Sequence, residues 1–424
     1  MSSTRILCAV AAVFLAASQA GANWPAWRGD AAGTGITSET ALPLKWSATE
    51  NVKWKVPLPE AGNSTPIVWG DRVFITQAAG TRRLVMAFDR QDGRLLWEAG
   101  PTYTEKEPTH KTNTLCSASP TTDGERVLAS FGSAGLFAFD FQGKELWRVD
   151  TGKVDHEWGY AISPVLHGEL CILANGAGSN WWLAAFDKKN GKEVWRVKGP
   201  AMDAAERTDG FAGKSDGMVG SWSTPVIVKA EGREELVMTW PEKMVAYDPA
   251  TGRELWRASG MNPLLYTSPM PGEGVIIGSG GYGGTTIAVK PGGSGDVSTG
   301  QRLWQKARDK QRIGSGVIKD GYLYILNTPG TAQCIKLATG EPVWEERVGG
   351  GGKSQSWSSM VLSGDRIYVL NQSSDTVVLR ASPKFEALSV NALGDGLTNS
   401  SHAISKGDIF IRTHRHLWCI RAAN

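Results

Sequence analysis

One eleven-residue stretch recurs along this chain and limits what it can fold into: Ala87-Phe88-Asp89-Arg90-Gln91-Asp92-Gly93-Arg94-Leu95-Leu96-Trp97. It returns as Ala185-Phe186-Asp187 … Gly191 … Trp195 and as Ala246-Tyr247-Asp248 … Gly252 … Trp256, and one residue shorter from Ala138 through Gly143 to Trp147. Looser copies run Ala288 … Gly300 … Trp304 and Cys334 … Gly340 … Trp344. Each copy reads as strand, tight turn, strand. The Asp carboxylate caps amides of the turn, and Gly supplies the positive φ that closes a short hairpin. A Trp recurring once per unit is explained by packing into the neighbouring unit. Burying one removes ~150–250 Å² from water, a gross gain of about 4–6 kcal/mol as an upper bound.

A second marker precedes each hairpin. The triplets are Ser64-Thr65-Pro66, Ala118-Ser119-Pro120, Ile162-Ser163-Pro164, Ser223-Thr224-Pro225, Thr267-Ser268-Pro269, Gly314-Ser315-Gly316, Ser358-Ser359-Met360 and Ser400-Ser401-His402. They lie 54, 44, 61, 44, 47, 44 and 42 residues apart, and each opens two apolar runs joined by a Gly-containing turn. Every unit is therefore four short strands. This period predicts an all-β chain, an eight-bladed β-propeller of four-stranded antiparallel blades. The eighth unit supplies three strands, while Trp54 is a repeat Trp whose first half is missing. Pairing Val52–Val56 with Leu417–Ile420 closes the ring and removes two sheet edges. Residues 1–20 are expected to be a cleaved signal peptide, 21–50 a strap over the outside of the fold, and 51–424 the propeller.

The signal-peptide expectation rests on Arg5, the apolar run Ile6–Ala17, and small residues at Ser18-Gln19-Ala20 or Ala20-Gly21-Ala22. The apolar run is too short to span a bilayer, so the product is expected in the periplasm or outside the cell, not in the membrane. Removing it leaves 44 basic against 42 acidic residues. That balance, with both signs interspersed, argues against a nucleic-acid partner. Cys116, Cys171, Cys334 and Cys419 contain no adjacent pair, and three of them sit in apolar runs, which favours buried thiols.

The pattern Ala-x-Asp-x-x-x-Gly-x-x-x-Trp, the start Trp24-Pro25-Ala26-Trp27-Arg28-Gly29 and the end His416-Leu417-Trp418-Cys419-Ile420 resemble the PQQ-like repeat propellers. That superfamily includes quinoprotein alcohol dehydrogenases and the outer-membrane assembly factor BamB. The resemblance covers nearly the whole mature chain and implies a propeller fold. Its enzymes imply pyrroloquinoline quinone (PQQ) held beneath an adjacent Cys-Cys disulfide, with a calcium ion and an Asp base. This chain lacks adjacent cysteines, and no Asp, Glu or Asn can be matched to those roles.

Other chemical motifs fail in context. Gly213-Lys214-Ser215-Asp216-Gly217 lies in a polar loop rather than a strand-to-helix elbow, and Gly278-Ser279-Gly280-Gly281-Tyr282-Gly283 precedes a strand-like run where a helix should start. Gly352-Lys353-Ser354 has Arg347 where a phosphate loop needs Gly. His414 and His416 have no neighbouring carboxylate in sequence. What remains is one face of the ring. Inter-blade connections and the loops between second and third strands gather there, including the long Gly100–Leu115 and Gly199–Gly220. The candidate binding residues are His110, Asn113, His156, Trp158, Tyr160, Trp222, Tyr266, Arg312 and Trp357. No catalytic or metal-ligating residue is assigned. The expected function is that of an exported, non-catalytic scaffold or binding module. It is expected to be a monomer that meets a protein partner, small molecule or glycan at the funnel face, and no cofactor is expected. The alternatives are a PQQ-dependent dehydrogenase using PQQ and calcium, and a carbohydrate-binding propeller. Across the ring, the loop Pro291–Gly300 reads as a flexible Gly- and Ser-rich insertion.

Overall fold

A computed structural model of the chain describes residues 23–202, 219–281, 283–349 and 355–422. Eight antiparallel sheets follow one another around a ring. Blade 1 runs from its innermost strand Ile67–Trp69 through Arg72–Ala79 and Arg82–Asp89 to Leu95–Ala99. The innermost strands of blades 2 to 8 are Thr121–Thr122, Val165–His167, Val226–Ala230, Met270–Gly272, Val317–Lys319, Val361–Ser363 and Ala403–Ser405. Middle strands are covered on both faces by neighbouring blades and read as unbroken apolar runs, as in Leu84-Val85-Met86-Ala87-Phe88. Outer strands such as Glu193–Lys198 bury only the repeat Trp.

The repeat is a docking device between blades. Its Asp caps the turn as expected: Asp89, Asp140, Asp187 and Asp248 each accept an amide two residues on, at 2.8–2.9 Å. Its Gly does more than turn. A Cβ at Gly93, Gly143, Gly191, Gly252 or Gly340 would stand 2.5–2.8 Å from the indole of the preceding blade's Trp. That indole then donates to a carbonyl in the same turn: Trp97 to Phe141, Trp147 to Lys188, Trp195 to Pro249 and Trp304 to Leu337, at 2.8–3.1 Å. Trp256 departs from the pattern and donates to the buried Glu235 at 2.8 Å. The turn it would meet is replaced by the Pro291–Gly300 insertion. That insertion is not a flexible appendage: Gly295–Asp296 adds a fifth, parallel strand to blade 4, and Val297 is buried.

Ring closure follows the sequence. Val52–Pro57 pairs antiparallel with His416–Ile420, Trp54 opposite Cys419, as the outer strand of blade 8. Trp54 then docks onto blade 1, donating to the Arg90 carbonyl at 2.8 Å. The same seam holds a buried ion pair, Arg90 Nε to Asp408 Oδ2 at 3.0 Å.

The first part of the N-terminal segment, Trp24 to Gly35, does not run over the outside of the fold. Trp24 pairs with Val68 of blade 1, the Pro25 carbonyl accepts Thr122 N–H of blade 2, that of Ala31 accepts Ile227 of blade 4, and that of Gly35 accepts Leu362 of blade 7. Only a chain on the ring axis reaches so many innermost strands. Ala26 and Gly29 exchange both main-chain hydrogen bonds, so Trp27 and Arg28 form the tip of a tight hairpin, with Arg28 at φ 62°. Arg28 is 1% exposed and spreads its guanidinium over the carbonyls of Gly33, Thr34, Ser315, Gly316 and Met360 at 2.6–3.2 Å. Burial lowers its pKa to about 9. Trp24 and Arg28 are buried because eight inner strands leave an axis to be filled, which no local sequence pattern reports.

Candidate functional site

The triplets that mark each blade form a ring of their own. Thr65 N–H donates to Ser119 Oγ (2.8 Å), Ser119 to Ser163 (2.9 Å), Ser163 to Thr224 (3.1 Å) and Thr224 to Ser268 (2.8 Å). Ser268 then donates to Ser315 (3.1 Å), Ser315 to Ser359 (3.0 Å), Ser359 to Ser401 (2.9 Å) and Ser401 back to Thr65 (3.0 Å). The middle residue of every triplet is a hydroxyl because it satisfies a buried amide of the blade before it. This closed circle of eight bonds forms the neck of a funnel.

Above the neck the funnel holds a cavity of about 350 Å³, at the small end of the ~300–1,000 Å³ typical of ligand pockets. Trp27, at the tip of the axial hairpin, is in its lining, together with seven of the eight ring residues. Six of the expected residues line it: His110, Asn113, Trp158, Trp222, Tyr266 and Trp357. The parallel pair Gly220–Ser221 with Leu264–Leu265 sets Trp222 beside Tyr266, ring centroids 5.6 Å apart. Trp158 closes that cluster at 5.5 Å from Trp222 and 6.1 Å from Tyr266. Asn113 orients the Trp158 loop by donating to the Trp158 and Tyr160 carbonyls. His110 Nδ1 lies 2.7 Å from Thr112 Oγ1 in the Gly100–Leu115 loop. Of the other long loop, Gly199–Gly220, residues 203–218 lie outside the described residues, as do Gly213–Gly217, Tyr282, Lys353-Ser354 and the expected signal peptide.

Three expected residues stand elsewhere. Arg312 is fully buried and pairs with Asp309 at 2.6 Å, while also donating to Thr286, Gln333, Asn327 and Ser279. Tyr160 turns its hydroxyl inward, to the carbonyls of Leu115 and Ser130, and burial pushes its pKa up. His156 supports the aromatic wall from behind, 4.8 Å from Trp222, with Nδ1 accepting Trp158 N–H; burial lowers its pKa. Each lies just before an innermost strand, as expected. Which way a side chain points from there depends on the blade beside it, and that is absent from the local sequence.

The sequence reading missed Trp27, Asn63, Thr112, Asn399 and the ring hydroxyls. The last had a signal: a hydroxyl at the second place of all eight triplets. His416 also differs from expectation, since Asp395 meets its Nδ1 at 2.8 Å, while His414 turns to Asn63. Among the described residues no group of three His, Cys, Asp or Glu is placed to hold a metal ion. Cys116, Cys171, Cys334 and Cys419 are buried free thiols.

Comparison with known proteins places this geometry among relatives. Over 171 residues the chain is 29% identical to a quinohemoprotein alcohol dehydrogenase, ADH-IIG, of Pseudomonas putida, covering 36% of this chain and 23% of that protein. The chain thus spans less than a quarter of that relative's length. It is 21% identical to the outer membrane protein assembly factor BamB of Burkholderia pseudomallei over 358 residues, covering 75% of this chain and 85% of that protein. The fold overlays the quinohemoprotein alcohol dehydrogenase of Comamonas testosteroni with a TM-score of 0.68 at 13% identity, covering 97% of this chain and 82% of that one. It overlays BamB of Moraxella catarrhalis with a TM-score of 0.58 at 14% identity, covering 86% and 98%. Among the described residues no helix is long and apolar enough to cross a membrane. The model of the family described as outer membrane protein assembly factor BamB matches residues 36–175, 179–310 and 293–384, and the chain belongs to that family of PQQ-like propellers.

Proposed function

We propose that the protein is an exported, non-catalytic propeller that serves the cell envelope as a scaffold or binding module through its inter-blade-loop face. The observation that supports this is the chemistry of the funnel: among its described lining residues there is no Asp, Glu, Lys or Arg. Kinship with outer membrane protein assembly factors agrees with it. The dehydrogenase relatives raise PQQ and calcium, and the residues present do not fit them. PQQ carries three carboxylates, and burying them without a countercharge is costly. The guanidinium beneath the floor, Arg28, is engaged by five carbonyls. A calcium ion takes six to eight oxygens, carboxylates prominent among them, and the described lining has none.

The test is direct. Purified protein is mixed with PQQ and calcium, separated from free cofactor, and assayed for alcohol-dependent dye reduction. The expected result is no retained quinone absorbance and no turnover. Stoichiometric uptake with alcohol-dependent reduction would overturn the proposal.

A further inference from the structure

The funnel's lining limits what can occupy it, given that it is a binding site as proposed above. The ring hydroxyls, from Thr65 round to Ser401, accept a main-chain N–H each. A hydroxyl that accepts an amide still has its own proton to give. Ser315 directs its proton to the Ser268 carbonyl. The other seven have no such acceptor among the described residues, are only 1–6% exposed, and all line the cavity. A buried hydroxyl without an acceptor costs free energy that a ligand oxygen or water would recover.

Around this crown of donors stand aromatic faces. Trp27 rises on the axis, Trp158, Trp222 and Tyr266 form one wall, and Trp357 contributes further indole surface. Indole faces cover apolar C–H surface well and need no charge to do so. The amides of Asn63, Asn113 and Asn399 are committed to the scaffold, holding Thr112, Ser117 and the Trp158 loop. They shape the mouth, leaving polar recognition to the hydroxyls.

The occupant must therefore present several oxygen acceptors around its edge, apolar C–H patches on its faces, and no formal charge. It must also fit about 350 Å³. A folded protein surface needs ~1,000 Å² or more of buried area, which this cavity does not provide, and an anion would find no countercharge in the described lining. A sugar ring meets all of these conditions. We infer that the funnel binds the terminal unit of an uncharged saccharide, with the ring hydroxyls donating to its oxygens and its C–H surface against Trp27 and Trp357. The rest of a glycan would leave through the mouth past His110.

The intact mature protein is titrated with cellobiose, maltose, mannobiose and diacetylchitobiose, with digalacturonic acid and inorganic phosphate in parallel, while intrinsic tryptophan fluorescence is followed. At least one neutral disaccharide should shift emission saturably, and the charged probes should not compete. Trp27→Ala and Trp357→Ala should each weaken that response at least tenfold, the loss expected of an aromatic anchor. Because Trp27 also belongs to the axial hairpin, Trp357, half-buried at the mouth, carries the test alone if melting shows Trp27→Ala unfolded. The inference is overturned if no neutral probe responds at millimolar concentration, if digalacturonate binds more tightly, or if Trp357→Ala leaves affinity unchanged. A negative saccharide titration with no PQQ uptake rejects the ligand class alone. PQQ uptake with turnover rejects the binding-module reading beneath it.

Discussion

Replacing Arg312 by Leu separates a structural ion pair from a ligand anchor. The guanidinium is 0% exposed, and its Nη1 lies 2.6 Å from Asp309 Oδ2. Removing it leaves a carboxylate whose side chain is 1% exposed with only the Thr286 hydroxyl and Lys306 at 3.7 Å as side-chain partners, and takes a donor from Thr286, Gln333 and Asn327. Breaking a buried pair from one side costs ~3–5 kcal/mol. For a chain of about 400 residues the unfolding entropy near the midpoint is roughly 0.8 kcal/mol/K, so Tm should fall by about 4–6 °C. Replacing both partners by Leu should recover part of this loss, because apolar pairs of similar volume pack without a desolvation cost. The effect also carries a pH signature. Burial raises the Asp309 pKa, but the charge and hydrogen bond of Arg312 outweigh it and hold the carboxyl below its ordinary value. A depressed carboxylate contributes stability above its unfolded pKa and loses it as pH falls through the folded one. In the variant only the more distant Lys306 charge and the Lys310 amide still oppose burial, so the pKa rises and protonation relieves the strain. The gap between wild type and Arg312→Leu should therefore narrow on acidification from neutrality towards pH 4. Differential scanning calorimetry across that range checks it. An unchanged Tm at pH 7, or a gap that widens in acid, would refute the structural assignment.

Gly93→Ala should cost ~1–3 kcal/mol, since φ is +75° and the new Cβ would stand 2.8 Å from the Trp54 indole across the closing seam; urea unfolding reads this out. Deleting Asn23–Asp30 should lower Tm substantially, because Trp24 is only 2% exposed and its burial is worth up to about 4–6 kcal/mol gross; an unchanged melt would argue against the axial plug. Truncation through Trp54 should cost more, since it also opens blade 8. His402 is neutral in the fold, with burial holding its pKa down to about 3 from 6.5. The unfolded chain takes up a proton first, so stability should fall by about 1.4 kcal/mol per pH unit below pH ~6, and His402→Gln should flatten that slope in denaturant titrations at pH 7 to 5.

Blade number, strand order and the closing strand were legible because each is written as a period. An Asp turn, a Gly and a Trp every few dozen residues report contacts between adjacent blades, and the unmatched Trp54 reports the last of them. The funnel face was legible for the same reason, since topology sends inter-blade loops to one side. Six of nine expected residues reached the cavity on that basis. Arg312, Tyr160 and His156 did not, because at the mouth of an inner strand a side chain turns to the axis or into the neighbouring blade according to its partners. For Arg312 these include Thr286 and Gln333, for Tyr160 Leu115 and Ser130, and for His156 Trp222, all on other loops or strands; of the Arg312 partners, Asp309 alone lies close in sequence. The N-terminal segment shows the same limit more sharply. Trp24-Pro25-Ala26-Trp27-Arg28-Gly29 has no period, so nothing local reveals its destination. Its place follows from eight inner strands around an axis, with carbonyls to be met by Arg28 and a floor to be made by Trp27. Repetition encodes what each blade does to the next, and so the sequence alone determined the ring. What fills the ring's centre depends on all eight blades at once, and only the tertiary structure decided it.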